Sequence, residues 1–227
     1  MTDSPSIAER RSEILDRLDA AADTAGRAAP DLIAVSKVQP DDRIRAALAA
    51  GQTVFGENRV QEAQARWGER FADARDQLTL HLIGPLQTNK ARDAVELFDV
   101  IQTLDREKLA KALLKAADAA GRMPRLLVQV NIGGENQKSG VAVDALGPLL
   151  DCLDVEYGLR RAEEIVGLMC IPPLGEPAAP HFWRMETLAR AHGLPELSMG
   201  MSADYETAVP FGATMVRVGS ALFGPRE

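Results

Sequence analysis

The stretch ELSMGMSADYETAVPFGATMVRVGS, residues 196–220, sets two short apolar runs on either side of a helix-length segment. The first run is Glu196–Gly200 and the second is Met215–Ser220. A strand, a helix and a strand in this order predict a right-handed βαβ unit with parallel strands. Such units build both closed α/β barrels and open doubly wound sheets.

The same alternation extends upstream over most of the chain. Six further apolar runs come before residue 196: Leu32–Lys37, Thr53–Asn58, Leu80–Gly84, Val100–Thr103, Arg125–Asn131 and Val166–Ile171. Several lack polar alternation, as strands buried on both faces should. A capping box formed by Ser6 and Glu9 predicts one extra helix before them. Eight units predict an α/β fold, a single (β/α)8 TIM barrel spanning residues 1–227, with an open doubly wound sheet as the alternative.

The composition agrees with one aliphatic barrel and disfavours several classes of partner. The chain has 227 residues, of which 46% are apolar and 4% aromatic, within the range of one barrel domain. A formal charge of −7 disfavours binding to nucleic acid or to anionic membranes. No apolar signal segment opens the sequence and no 18-residue apolar run follows, so we expect a cytoplasmic protein.

The cysteines and histidines indicate neither a disulfide nor a metal site. Cys152 and Cys170 lie in a helical and a strand pattern and are expected to be core or near-core thiols. The three histidines lack the spacing of metal ligands. His81 is therefore expected to be a hydrogen-bonded core residue rather than a catalytic base.

The first apolar run, LIAVSK at residues 32–37, ends in Lys37. Reactive groups in α/β barrels lie at the carboxyl ends of the strands. Removing a lysine from water favours its neutral amine, which can attack an aldehyde. Lys37 is thus a candidate for a covalent bond to a ligand, unless it is an ordinary solvated lysine that leaves the strand.

Two turns rich in glycine and serine follow the last two predicted strands, where α/β barrels often bind phosphate. In the first turn, Ser202 is a candidate helix N-cap and Gly200 leaves room for a ligand. Gly219 and Ser220 repeat the arrangement before the last helix. Two ordinary helix caps would give the same pattern, and the acidic residues that follow Ser202 would oppose an anion.

Arg217 shares its strand alternation with Met215 and Gly219, so it points into the barrel or lies at its mouth. A guanidinium in that position needs an acceptor, which could be the nitrogen of a pyridine ring or a structural carboxylate. A pyridine nitrogen beside Arg217 would stay unprotonated. The ring would then be a weaker electron sink than one paired with an aspartate.

Short stretches from residue 34 to residue 224 carry a resemblance to a known family. They are AVSKVQP (34–40), FGENRVQEA (55–63), HLIGPLQTNK (81–90), VQVNIGGENQKSGV (128–141), GLMCIPP (167–173) and LSMGMSADYETAVPFGATMVRVGSALFG (197–224). In this order they resemble the pyridoxal phosphate homeostasis protein family, also known as the proline synthetase co-transcribed homologue family. The ordered set is far more specific than any single motif.

The resemblance implies a monomeric barrel, related to the N-terminal domain of alanine racemase, that binds pyridoxal 5′-phosphate (PLP). It implies these cofactor-binding residues: Lys37, Asn58, Ser202, Arg217, Gly219 and Ser220. The lysine would hold PLP as a Schiff base, the arginine would meet the pyridine nitrogen, and the asparagine would lie beside the ring. The two serines and the glycine would bind the phosphate. Lys138 matches a family lysine after the fifth strand, and we expect it to be a solvated loop residue.

Three functions are compatible with these residues. The chain is a protein that stores and delivers PLP, maintaining vitamin B6 and amino and keto acid pools, or it is a PLP enzyme such as a racemase, or it is an aldolase that uses Lys37 without PLP. Racemisation needs a second acid/base opposite the lysine, which racemases supply from an added C-terminal domain, whereas this sequence stops after its eighth unit. Tyr157 and Tyr205 lie in helical patterns. We therefore expect a protein without turnover whose partners are PLP and PLP-dependent apo-enzymes.

Overall fold

The computed structural model describes residues 5–135 and 137–225. Its strands are β1 (Asp31–Val35), β2 (Val54–Glu57), β3 (Thr79–Leu82), β4 (Val100–Leu104), β5 (Arg125–Asn131), β6 (Val141–Ala142), β7 (Ile165–Cys170), β8 (Glu196–Met201) and β9 (Met215–Val218). The eight strands other than β6 are parallel neighbours around a ring, which the pairing of β4 with β5 closes. This closure confirms the (β/α)8 barrel and excludes the open doubly wound sheet.

Helices alternate with the strands and cover the outside of the barrel. They are α1 (Ile7–Ala25), α2 (Asp41–Ala49), α3 (Val60–Ala63), α4 (Ala91–Leu97), α5 (Glu107–Ala120), α6 (Leu146–Val155), α7 (Ala178–Ala191), α8 (Tyr205–Ala208) and α9 (Ser220–Phe223). A π-helical segment, Gln64–Arg70, continues α3, and 3-10 turns occupy Ala72–Gln77, Thr88–Lys90, Val143–Ala145 and Val209–Phe211. In the described ranges, no helix combines the length and the apolar character needed to cross a membrane.

The extra helix before the barrel, α1, begins with the predicted capping box. The Ser6 amide donates to Glu9 Oε2 (2.7 Å), and the Glu9 amide donates to Ser6 Oγ (3.2 Å). Gly26 ends the helix with a φ of 63°, a conformation that favours glycine. Ile14 and Leu18 are buried, and the helix packs against α9. The first helix of the chain thus covers its last strand–helix unit.

Side chains fill the barrel beneath its mouth. Residues from six strands meet inside it: Ile33, Val54, Val100, Leu127, Val166, Met169 and Met215. Gly56 is required where this packing is tightest, because a Cβ there would lie 2.9 Å from Ile33 Cγ2 and 3.1 Å from Ile83 Cδ1. A larger apolar cluster lies between the strands and the helices. Space for a ligand is therefore to be sought at the mouth rather than in the interior.

Several strands end earlier than the predicted runs, among them the two that lead into Lys37 and Gly219. β1 ends at Val35, so Lys37 lies in a turn rather than in the strand. β2 and β9 also stop short, which leaves Asn58 and Gly219 in loops. The two-residue β6, which the sequence did not predict, pairs with the end of β5. The parallel ladder thus stops where the loops of the mouth begin, and Lys37, Asn58 and Gly219 are held on loops anchored by strands.

Both cysteines are free thiols. Cys170 is fully buried at the end of β7, and this burial raises the pKa of its thiol to about 12. Cys152 is half-buried on α6, where desolvation again raises the thiol pKa. Thiols with raised pKa values are poor nucleophiles, in agreement with the structural role predicted for both.

Candidate functional site

Lys37 lies at the mouth of the barrel, in the turn that follows β1. The turn is closed by the Gln39 amide, which donates to Ser36 O (3.1 Å), and Val38 within it has a φ of 54°. Lys37 is half-buried. Within residues 5–135 and 137–225, its amine forms no hydrogen bond or ion pair. An amine that is not engaged in a hydrogen bond or an ion pair is free to react with a carbonyl group.

The order of the strands brings the other candidate residues beside Lys37. β1 lies between β2 and β9, so the loops after these two strands flank the turn after β1. Asn58 follows β2, while Gly219 and Ser220 follow β9. β8, which precedes Ser202, is the next strand beyond β9. Residues that are far apart in the sequence therefore lie in the segments that follow neighbouring strands, at one edge of the mouth.

Ser202 joins the loop after β8 to the loop after β9. Its Oγ accepts hydrogen bonds from the Gly219 amide (3.2 Å) and the Ala221 amide (3.4 Å). The prediction that Ser202 caps its own helix is wrong, because Asp204 takes the N-cap position of α8 and its Oδ1 accepts from the Met201 amide (2.6 Å). Since Ser202 Oγ only accepts in these contacts, its hydroxyl hydrogen is left to donate to a ligand.

Gly200 has a structural reason to be glycine. Its φ is 92°, and a Cβ there would lie 2.9 Å from Ala208 Cβ and 3.0 Å from Tyr205 Cα. The glycine therefore lets α8 pack closely on β8. The expectation that it also leaves room for a ligand stays a prediction.

Arg217 points into the barrel and begins a chain of buried hydrogen bonds. Only 4% of this residue is exposed; its Nη1 donates to Ser198 Oγ and its Nη2 to Cys170 O, both at 2.7 Å. Ser198 Oγ donates to Gln102 Oε1 (2.6 Å), and Gln102 Nε2 lies 2.8 Å from His81 Nδ1. Because an amide nitrogen only donates, His81 Nδ1 must accept, and its proton resides on Nε2.

This chain of hydrogen bonds has two chemical consequences. Burial lowers the pKa of His81 to about 4, so the imidazole is neutral near pH 7 and serves as the predicted core histidine. Arg217 meets only neutral acceptors, since none of the described carboxylates forms an ion pair with it. The structural carboxylate considered as its partner is thus not found in the described ranges. In the same ranges, no cluster of three or more His, Cys, Asp or Glu side chains could hold a metal ion.

Asn58 carries a buried polar atom that the described part of the chain does not satisfy. Among residues 5–135 and 137–225, its Oδ1 has no hydrogen-bond partner, a condition that in native proteins indicates a ligand, an ion or a water molecule. The loop after β2, which contains Asn58, packs closely against Gly84 in the loop after β3. A Cβ on Gly84 would lie only 2.1 Å from Asn58 O, so this contact requires glycine. A cavity of about 550 Å³ adjoins it, lined by Asn58, Arg59, Val60, Gln61, Pro85, Leu86, Gln87 and Lys90.

Sequence reasoning missed a buried ion pair beside Lys37. Arg66 Nη1 lies 2.7 Å from Glu57 Oε1, and both side chains are almost entirely removed from solvent. One signal was available: Glu57 stands in an apolar strand run, where a carboxylate requires a partner. The identity of that partner was not readable, because Arg66 lies in a π-helical segment with no local sequence pattern.

Lys138 is more constrained than the solvated lysine that the sequence predicted. Its Nζ lies 2.5 Å from Glu135 Oε2 and donates to Pro172 O (3.3 Å). The loop after β5 is thereby tied to the loop after β7. This contact gives Lys138 a structural role at the mouth.

Comparison with known proteins identifies relatives of the chain. Residues 11–227 match the family model described as "Alanine racemase, N-terminal domain". The pyridoxal phosphate homeostasis protein of Pseudomonas aeruginosa is 42% identical, covering 97% of this chain and 96% of that protein. The pyridoxal phosphate homeostasis protein of Aquifex aeolicus is 38% identical, covering 96% of this chain and 98% of that protein.

Solved structures of PipY from Synechococcus elongatus are similar to this chain in both fold and sequence. PipY of Synechococcus elongatus without PLP has a TM-score of 0.82 and 42% identity, covering 96% of this chain and all of that one. The same protein with PLP bound has a TM-score of 0.78 and 40% identity over the same shares.

Proposed function

Because this chain belongs to the pyridoxal phosphate homeostasis protein family, we propose that it binds PLP at the mouth of its barrel. In this proposal, residues 1–227 act as one monomeric PLP-binding domain, and Lys37 holds the cofactor as a Schiff base. The protein stores PLP, delivers it to PLP-dependent apo-enzymes and so maintains vitamin B6 and amino and keto acid pools. It does not turn over a substrate.

The observation that carries the proposal is that Lys37 is half-buried at the mouth and that its amine has no partner among residues 5–135 and 137–225. When bound, PLP supplies an aldehyde carbon that an amine can attack. The Lys37 nitrogen lone pair forms the bond to that carbon, and the aldehyde oxygen leaves as water with the two amine hydrogens. The reaction needs no oxidant or reductant, and it is reversible, as storage and delivery require.

The neighbouring residues fit the rest of the cofactor. The Ser202 hydroxyl hydrogen is free for a phosphate oxygen, and Ser220 is exposed one residue after Gly219. Gly219 leaves space, since even a Cβ there would approach Val35 only to 3.6 Å. The unsatisfied Asn58 Oδ1 suits a donor on the ligand. These donors and acceptors support a phosphorylated, polar ring as the ligand.

Two features argue against turnover. If Arg217 meets the pyridine nitrogen, it keeps that nitrogen unprotonated, and a carbanion beside the ring gains little stabilisation. Both tyrosines of the chain lie outside the barrel: the Tyr157 hydroxyl donates to Glu107, and Tyr205 is buried in the cluster beneath the helices. Neither is placed to act as a second base opposite Lys37, which a two-base racemisation requires.

Trapping the bond with borohydride tests the proposal. The purified protein mixed with PLP is expected to be yellow, and reduction should fix the cofactor on the peptide that contains Lys37, as found by mass spectrometry. Lys37→Ala should lose both the colour and the adduct. Lys90→Ala is a matched control, because Lys90 lies at the same mouth but is engaged with Asp93 (3.4 Å). An adduct confined to another lysine would refute the assignment of Lys37.

A further inference from the structure

We propose that Arg66 and Glu57 are positioning residues for Lys37, which hold the turn after β1 so that its amine faces the mouth. This inference rests on the proposed function, since it assigns a role toward the lysine that binds PLP. The pair does not itself touch the ligand. It acts through the backbone on both sides of Lys37.

Arg66 donates hydrogen bonds to two backbone carbonyl groups of the turn. Its Nη1 donates to Ser36 O (2.5 Å), directly before Lys37, and its Nη2 donates to Gln39 O (2.7 Å), two residues after it. The guanidinium is planar, and the spacing between its nitrogens is fixed. The two carbonyl groups are therefore held at one separation, and the backbone of Lys37 is held between them.

Glu57 orients Arg66 in turn. Its Oε1 accepts from Arg66 Nη1 (2.7 Å), from Ser36 Oγ (2.7 Å) and from Trp67 Nε1 (3.1 Å). The side chains of Arg66 and Glu57 are 7% and 0% exposed, and Glu57 Oε2 is buried with no hydrogen-bond partner among the residues that the structure describes. An ion pair buried this deeply contributes little to folding compared with apolar residues of the same size. Its contribution lies in fixing a geometry.

Two local departures from regular structure point to the same role. The π-helical segment Gln64–Arg70 places the adjacent residues Arg66 and Trp67 together against Glu57, and π-helical turns occur frequently at functional sites. Val38 is β-branched and yet has a φ of 54° while being 67% exposed. Burial does not compensate this disfavoured conformation, so it persists because the backbone on both sides is held.

The variant Arg66→Lys separates geometry from charge. Lysine keeps the positive charge beside Glu57, but a single ammonium cannot span both carbonyl groups. We expect covalent retention of PLP on Lys37 to fall by about tenfold or more, since small misplacements of reacting groups have large effects. Pyridoxine 5′-phosphate, which carries an alcohol in place of the aldehyde, should bind as it does to the wild type. Ser36→Ala, which removes one donor to Glu57, should show a smaller loss of the same kind.

Arg75→Lys is the matched control. Arg75 also donates to two carbonyl groups, Leu78 O (3.1 Å) and Leu97 O (2.5 Å), and to the Asp99 carboxylate (2.8 Å), but it lies at the opposite end of the strands. This variant should lose thermal stability while retaining PLP and pyridoxine 5′-phosphate like the wild type.

Three results would overturn the role of the pair. These are unchanged retention of PLP in Arg66→Lys and Ser36→Ala, an equal loss of both ligands, or the same ligand-specific loss in Arg75→Lys. Failure of the proposed function would look different, because the wild type itself would then form no borohydride adduct on Lys37.

Discussion

Replacing His81 with asparagine should remove a pH dependence from the stability of the barrel. Burial lowers the pKa of His81 from 6.5 to about 4. Between these pH values, His81 is therefore protonated in the unfolded chain and neutral in the folded protein. The stability is therefore complete above pH 6.5 and falls as the pH approaches 4. At about 1.4 kcal/mol for each tenfold change in proton affinity, this one group accounts for a loss of about 3 kcal/mol.

Asparagine is the matched substitution, because its side-chain oxygen can accept from Gln102 Nε2 as His81 Nδ1 does, and it does not titrate. The free energy of unfolding in urea is measured for the wild type and for His81→Asn from pH 7 to pH 4. The difference between the two proteins at each pH removes the contribution of the carboxylates, which titrate in both. That difference should shift by about 3 kcal/mol in favour of the variant. A difference that stays constant with pH would refute the neutral, acceptor role of His81. Nitrogen NMR should place the imidazole proton on Nε2.

The remaining predictions concern the ligand. Ser202→Ala and Ser220→Ala should each weaken retention of PLP by roughly ten- to a hundredfold, since a hydrogen bond to a charged group contributes about 1.5–3 kcal/mol. Pyridoxal, which lacks the phosphate, should bind both variants like the wild type, and wild-type affinity for PLP in both would contradict the phosphate assignment. The PLP-loaded protein should not racemise or decarboxylate any amino acid, or exchange its α-proton, faster than free PLP does. Turnover near 1 per second that Lys37→Ala abolishes would restore the racemase alternative.

The repeating strands were predictable because their pattern is local. Apolar runs without polar alternation identify parallel strands wherever the sequence is buried on both faces, and all eight are present in the barrel. The two-residue β6 was not predictable, because it depends on pairing with the end of β5 rather than on any run of its own. The exact ends of β1 and β9 were missed for the same reason, since ladders end where tertiary contacts redirect the chain.

The candidate site was predictable in its members but not in its connections. Lys37 and Asn58 follow from the rule that barrel sites lie at the carboxyl ends of strands. The contact of Ser202 with the amide of Gly219 joins residues 17 positions apart, and no local pattern reveals it. The two hydrogen bonds from Arg66 to the turn after β1 likewise cannot be identified without the folded structure, because they are made to backbone carbonyl groups, which every residue possesses.

The pairing of β1 with β9 has a consequence for how the protein acquires its ligand during synthesis. Ala34 pairs with Val218, 184 positions later, so β1 and β9 are neighbours in the barrel although they are its first and its last strand to leave the ribosome. If Lys37, Gly219 and Ser220 bind PLP as proposed, a nascent chain that has not yet released β9 presents Lys37 without the other two residues and does not retain PLP. A bound molecule that contacts the segments after both β1 and β9 would stabilise the pairing of these strands and oppose their separation.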